Sequence, residues 1–181
     1  MCIRDRYGNV FLQTKQLEIG AARINGFDNN GLSAQISADT ITLRNPGFNS
    51  DRIGTGTGAL TLNAKNIILS EGNYAISGFS TAALNATDAI KGRGLTQDAQ
   101  TGNSSLAEPG LLTVAGDLNL NAAYFIGDPG ATTRIDASGH QININRLDGN
   151  TSREPAGLGA AWSMTANALS LIHISEPTRP Y

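Results

Sequence analysis

Short runs of alternating apolar and polar residues recur along this chain, and each run breaks next to an alanine. In the clearest run Leu60, Leu62 and Ala64 alternate with polar residues, two further residues follow, and Ile67 resumes the alternation. A period of two is typical of a strand with one buried side. The break moves the inward-facing positions by one residue, which a bend between two strands requires. The pattern therefore predicts pairs of short strands joined at an alanine corner.

The same template occurs seven times, with spacings that fit a solenoid whose loops differ in length. Successive alanine anchors are 15 to 36 residues apart, which is in the range of solenoid turns. We predict that the copies stack about 4.8 Å apart, with aliphatic ladders inside and polar rows outside. The anchors are Ala21, Ala38, Ala64, Ala86, Ala122, Ala137 and Ala166. The side chains expected to point inward and stack are Ile36, Leu62, Leu84, Leu120 and Ile135.

Turn residues lie between the copies and help to choose among the possible folds. Pro46-Gly47, Pro109-Gly110 and Pro129-Gly130 punctuate the chain, because a Pro-Gly pair ends a strand rather than continuing it. No window has sustained apolar residues at the three-to-four spacing of a helix. We therefore predict an all-β fold, a right-handed parallel β-helix. An antiparallel β-sandwich, which also consists of short strands and turns, is the alternative.

Both ends of the chain look like translated sequencing adapter. Residues 169–179 can be encoded by DNA that resembles the transposase adapter used to build sequencing libraries, and residues 1–5 by its opposite strand. We expect residues 1–6 and 170–181 to be adapter-derived and to contribute nothing to the fold. Residues 7–169 are then the repeat segment.

Composition and charge exclude several classes of protein. Without the two end segments the chain has ten basic and thirteen acidic residues, no cysteine and one histidine, His140. It lacks the clustered Lys and Arg of proteins that bind nucleic acid or membrane surfaces. The absence of cysteine excludes a disulfide framework and a thiolate metal site. No apolar run approaches the roughly 20 residues of a membrane span.

The repeat is also similar to that of a known family. The residues that carry the similarity are 60–69, 74–79, 84–86, 114–122 and 135–140. They resemble the passenger region of filamentous-haemagglutinin-like exoproteins, over most of residues 16–169. The resemblance implies two-partner secretion through an outer-membrane pore protein, a secreted or bacterial cell-surface location, and an adhesive role. It leaves open the ligand on a host or neighbouring cell.

An enzyme is the alternative function, because parallel β-helices also include polysaccharide lyases and hydrolases. Glycoside hydrolysis needs two carboxylates that flank the bond, and Asp39, Asp117 and Asp136 lie beside strand segments where they could stack on one outer face. A solvated polar row is the simpler interpretation, since the other acidic residues are scattered. We predict no catalytic, cofactor-binding or metal-binding residues and no enzyme activity.

Three other features resemble catalytic or ligand-binding sites, but each has a structural explanation. His140 occupies an apolar position of the template and is interpreted as a hydrogen-bonded structural residue. The glycine-rich run at residues 54–58 has the outline of a phosphate loop but lacks the Gly-Lys-Ser/Thr ending and a following helix. The aromatic residues that could form a sugar-stacking surface are Tyr74, Phe79, Phe125 and Trp162, although single aromatic residues usually pack. The sequence thus favours a structural and adhesive shaft that presents loops to ligands.

Overall fold

The chain forms strands and loops without a helix in the residues that the computed structural model describes, namely 2–3, 11–27, 30–94, 109–147 and 160–172. The strands are β1 (Cys2–Ile3), β2 (Phe11–Gly20), β3 (Arg23–Gly26), β4 (Ser33–Arg44), β5 (Gly58–Leu69), β6 (Gly72–Ser77), β7 (Phe79–Gly92), β8 (Gly110–Val114), β9 (Asp117–Gly127), β10 (Thr132–Arg146) and β11 (Ala161–Ile172). The all-β prediction is confirmed for these residues.

The strands belong to one curled sheet, and all of the described strand pairs are parallel. Each segment pairs with the equivalent segment of a neighbouring coil of the chain. Hydrogen-bonded neighbours on one outer row are 22, 36 and 24 residues apart. The antiparallel β-sandwich alternative is wrong, because it requires neighbouring strands to run in opposite directions. The fold is solenoid-like, with a parallel sheet that winds through successive coils.

Bends divide the sheet into three ladders of strand segments, which we call faces. Face 1 consists of β1, β3, β6, β8 and the first parts of β10 and β11. Face 2 consists of the first parts of β2, β4, β5, β7 and β9 and the last parts of β10 and β11. Face 3 consists of the last parts of β2, β4, β5, β7 and β9. A complete coil runs through face 1, face 2 and face 3 in that order.

The inward side of the faces is apolar, as the alternation predicts. On face 2 one row of four stacked side chains is 0% exposed, and these are Ile36, Leu62, Leu84 and Leu120. Ile135 is buried as well, but it stacks on Leu112 of face 1. Each buried Leu or Ile stabilises the fold by about 1.5–3 kcal/mol. The inward positions are confirmed, and they form two ladders rather than one.

The alanine anchors mark bends, but the bends are not equivalent. Ala21 lies between faces 3 and 1, and Ala137 and Ala166 lie between faces 1 and 2. The anchors between faces 2 and 3 are Ala38, Ala64, Ala86 and Ala122. The template has an alanine at all of these corners, so it does not by itself distinguish one corner from another.

Face 1 lacks a strand in one coil. β4 ends at Arg44, β5 begins at Gly58, and residues 45–57 connect them without a strand. β3 therefore pairs directly with β6, so that Arg23 lies opposite Ala75 and Asn25 lies opposite Ser77. Residues 45–57, which we call the face 1 loop, pass over the outer side of this pair.

Candidate functional site

The face 1 loop is fixed at its start by Asn45, which is 7% exposed. Its Nδ2 donates hydrogen bonds to the carbonyl oxygens of Phe48 (2.8 Å) and Asn73 (2.7 Å). Its Oδ1 accepts a hydrogen bond from the backbone N–H of Phe48 at 2.7 Å. This local turn follows the preference of Asn for bonding the backbone just after itself. Gly47 follows at φ 98°, a conformation that favours glycine. The start of the loop is thus tied both to itself and to β6.

Two outward-facing polar side chains hold the end of the loop. Ser77 Oγ donates to Asn25 Oδ1 (2.6 Å), and Asn25 Nδ2 donates to the carbonyl oxygen of Arg52 (2.9 Å). The backbone N–H of Gly54 donates to Ser77 Oγ (3.0 Å). Asn25 and Ser77 are 3% and 1% exposed, because the loop covers them. Buried polar groups need such partners, so this network joins β3, β6 and the loop.

Glycine allows the end of the loop to touch the sheet. A Cβ atom at Gly54 would lie 2.6 Å from the carbonyl oxygen of Ser77 and 2.7 Å from that of Gly26. The backbone N–H of Gly56 donates to the same Gly26 oxygen at 3.1 Å. The glycine-rich run at residues 54–58 therefore serves the close approach of two backbones, and strand β5 follows it instead of a helix.

A cleft of about 590 Å³ lies between the loop and the outer side of face 1. Its floor carries the outward-facing side chains of Arg23, Ala75 and Thr113, which are neighbours in the strand register. Asn73 adds an exposed amide to this floor. Loop residues 47–50 form one wall, and Pro109 also contributes. The volume is in the range of sites that bind small molecules.

The loop carries two exposed apolar side chains. Phe48 is 57% and Ile53 is 60% exposed. Phe48 lines the cleft, whereas Ile53 is not among the described lining residues. Arg52, beside Ile53, places its guanidinium carbon 4.7 Å from the centroid of the Phe27 ring, which is a cation–π distance. The loop thus has one aromatic residue on the cleft and one aliphatic residue away from it.

An ionic network lies next to Asn45 at the corner between faces 3 and 1. Arg44 contacts Glu18 (Nε to Oε1, 2.7 Å) and Glu71 (Nη1 to Oε1, 3.1 Å), and Ser70 Oγ donates to Glu71. Partial burial raises the pKa of Glu71, but the bonds from Ser70, from its own backbone and from Arg44, together with the Arg44 charge, outweigh burial. The net pKa lies below the usual value of a Glu carboxyl, so Glu71 is ionised beside the cleft at neutral pH.

The three acidic residues considered for a catalytic cluster, Asp39, Asp117 and Asp136, do not share an outer face. Asp39 lies between faces 2 and 3, where Lys65 Nζ is 3.5 Å away. Asp117 begins β9 on face 2, and Asp136 lies on face 1. Asp28, Asp98 and Asp148 are outside the described residues. Within the described part of the chain, no group of three or more His, Cys, Asp or Glu is placed to hold a metal ion.

His140 lies at an exposed corner and not at an inward position, so its predicted placement is wrong. The corner of β10 is longer than that of β11, because Ala137 pairs with Ala166 but the next pair is Gln141 with Ala168. The next inward residue is therefore Ile142, which is fully buried. The side chain of His140 is 42% exposed, and its Nδ1 is 3.8 Å from Asp117 Oδ1.

Of the aromatic residues singled out in the sequence, two are buried, Tyr74 and Phe79, and two are partly buried against the core, Phe125 and Trp162. Tyr74 and Phe79 are 5% and 3% exposed. Phe125 and Trp162 meet edge to face, with ring centroids 5.8 Å apart and planes at 89°. The exposed aromatic residue of the loop is instead Phe48, which the sequence analysis did not select.

The sequence analysis also did not identify the three residues that hold the loop, Asn45, Asn25 and Ser77. Asn45 has a sequence signal that could have identified it. Asn45 precedes Pro46-Gly47, and Asn before a turn dipeptide often bonds the backbone ahead of it. Asn25 and Ser77 have no such signal, because their contact spans 52 residues and depends on β3 pairing with β6.

No protein-family model, no curated protein and no solved structure matches the chain, so the comparisons with known proteins do not assign it to a family. The described residues also contain no helix that is long and apolar enough to span a membrane.

Proposed function

We propose that this chain is a segment of a right-handed parallel β-helix shaft in a secreted bacterial surface protein, and that it presents the face 1 loop for adhesion to a host or neighbouring cell. The observation that carries the proposal is the pairing of β3 with β6 beneath the loop. The wall of the shaft stays continuous where the loop leaves it. A loop of this kind provides a binding surface without interrupting the stack.

General rules for solenoids support the shaft. Each coil contacts only its neighbours, so coils can be added in series to make a long, stiff body. Crossovers between parallel strands of one sheet are right-handed in about 98% of cases, which favours the right-handed form. Binding residues tend to lie on loops that a rigid scaffold positions, and the anchors at Asn45 and Ser77 fit this tendency.

The resemblance of residues 60–69 and 114–122 to filamentous-haemagglutinin-like exoproteins supports the proposed location. In that case the chain is exported by two-partner secretion through an outer-membrane pore and acts on the cell surface or outside the cell. The proposed role is mechanical and adhesive rather than catalytic.

The test is a chain in which Gly-Ser-Gly-Ser-Gly-Ser replaces residues 47–52, so that the loop keeps its length and becomes flexible. We expect cooperative unfolding to be retained, while beads coated with the variant lose adhesion to a panel of cultured cells and immobilised matrix proteins. Lys65→Ser, at an exposed corner between faces 2 and 3, is the control and should leave adhesion unchanged. Adhesion that persists without the loop would contradict the proposal, and so would a loss of cooperative unfolding.

A further inference from the structure

The cleft beneath the face 1 loop has the features of a prepared binding site. Its walls are fixed before any ligand arrives, because Asn45 ties one end of the loop to β6 and Ser77 ties the other end. A site that is already ordered loses less conformational entropy on binding than a mobile loop does. The floor is rigid for the same reason, since β3, β6 and β8 are paired beneath it.

The lining favours a ligand with many hydrogen-bonding groups. Asn49 and Asn73 offer amide donors and acceptors, and Ser50 and Thr113 offer hydroxyl groups. An apolar ligand would remove these groups from water without giving them partners, which is unfavourable for each group that is buried. Among the described lining residues only Arg23 is charged, so neutral polar contacts predominate.

Phe48 adds an apolar surface to this polar lining. Phe48 is 57% exposed and is one of the residues that line the cleft. An exposed aromatic residue next to several amides and hydroxyls matches a sugar ring, which has hydroxyl groups around its edge and C–H groups on its faces. We infer that the cleft binds one or a few sugar units of a glycan, with Phe48 against the ring and Asn49 and Asn73 on its hydroxyl groups. This inference rests on the proposed display of the loop, for which it names the ligand class.

The test uses the whole chain, isotopically labelled for NMR, with a broad array of immobilised glycans and with maltotriose, cellotriose and chitotriose as soluble probes. We expect at least one glycan to shift the amide signals of residues 47–50 and 72–75. The affinity should be in the weak range typical of short sugars, with a dissociation constant of about 1 mM. Phe48→Ala and Asn49→Ala should each weaken binding about tenfold or more.

Ile53→Ala is the matched control, because Ile53 is an exposed residue of the same loop outside the described lining. It should bind glycans like the parent chain, and all three variants should keep the parent circular dichroism. An empty array together with unchanged NMR signals would overturn the inference, as would full binding by Phe48→Ala. If loop replacement abolishes adhesion while no glycan binds, the sugar inference fails and the display of the loop stands. If a glycan binds while adhesion survives loop replacement, the proposed display of the loop for adhesion fails and the sugar inference stands.

Discussion

Faces 1 and 2 are built from the same coils, yet they are stabilised in different ways. Face 2 repeats one arrangement, with a fully buried aliphatic row inside and a ladder of asparagine side chains outside. The Nδ2-to-Oδ1 distances along this ladder are 2.8, 2.6 and 2.8 Å, and its members are Asn63, Asn85, Asn121 and Asn145. Face 1 has Tyr74 and Thr133 on its inner side, with buried hydroxyl groups that lack hydrogen-bond partners among the described residues, and a loop on its outer side.

The difference shows how stability and function can be divided within one solenoid. On face 2 similar residues lie above one another in successive coils. Each coil therefore packs its aliphatic side chains on those of the next coil and forms amide hydrogen bonds with its asparagine side chains. Face 1 lacks a strand in one coil and is less regular than face 2. In place of that strand it has a fixed loop and a cleft. Departures from the local rules of a fold are expected at functional sites, and face 1 contains the larger departures.

The most damaging change should be a charge inside face 2. Leu62 is 0% exposed, so Leu62→Asp removes aliphatic packing worth about 2–5 kcal/mol and also buries an unpaired carboxylate. Together these two costs are comparable with the whole stability of a typical domain, about 5–15 kcal/mol. We expect no cooperative unfolding transition by circular dichroism.

Asn63→Asp is the control for that change, one residue away on the outer side. Asn63 Oδ1 accepts the ladder bond from Asn85, and a carboxylate oxygen can accept the same bond. The variant should unfold cooperatively with near-parent stability. Equal damage at positions 62 and 63 would contradict the assignment of inner and outer sides.

A smaller, local effect is expected at the anchor of the face 1 loop. Gly54→Ala places a methyl group 2.6 Å and 2.7 Å from two backbone oxygens, and relieving such crowding costs about 1–3 kcal/mol. Hydrogen exchange should become faster at the backbone amides of Gly54 and Gly56 and stay slow on face 2. Gly20→Ala is the control, since its new methyl group meets nothing closer than 4.0 Å. Equal stability of the two variants would show that the loop does not press against the sheet.

The third change interrupts the asparagine ladder. Asn121 donates to Asn85 and accepts from Asn145, so Asn121→Ala removes two hydrogen bonds, each with a net contribution of about 0.5–1.5 kcal/mol. Asn143→Ala removes the single bond to Asn119 and should cost about half as much in urea unfolding. If both variants match the parent, the ladder contributes nothing to stability.

The sequence predicted face 2 better than face 1 for a physical reason. Alternation around Leu60 and Leu62 is a local property of a half-buried strand, and it directly assigned inner and outer sides. The pairing of β3 with β6 joins Asn25 to Ser77 across 52 residues, and no local pattern encodes which coil is skipped. The candidate site depends on that pairing. The contact of Ser77 with the end of the loop and the floor of the cleft form only when β3 pairs with β6 in this register.

The smallest effect at neutral pH should come from the hydroxyl group inside face 1. Burial, and then the negative charge of Glu71, raise the pKa of Tyr74 above the usual value, so the folded chain holds this proton more tightly than the unfolded chain. The corresponding stability is fully present below the unfolded pKa of about 10 and is lost as pH rises above it.

Tyr74→Phe removes both the titration and a buried hydroxyl without a described partner. At pH 7 the variant should therefore be as stable as the parent or more stable by up to about 1 kcal/mol. Between pH 10 and 11 the stability advantage of the variant over the parent should grow. The unfolded parent is stabilised by ionising Tyr74, whereas the variant has no hydroxyl group to ionise. The other ionising groups are present in both chains. Urea unfolding of both chains at each pH measures the difference. A constant difference across this range would show that Tyr74 does not control the alkaline stability, and a clear loss at pH 7 would show that its hydroxyl has a stabilising partner.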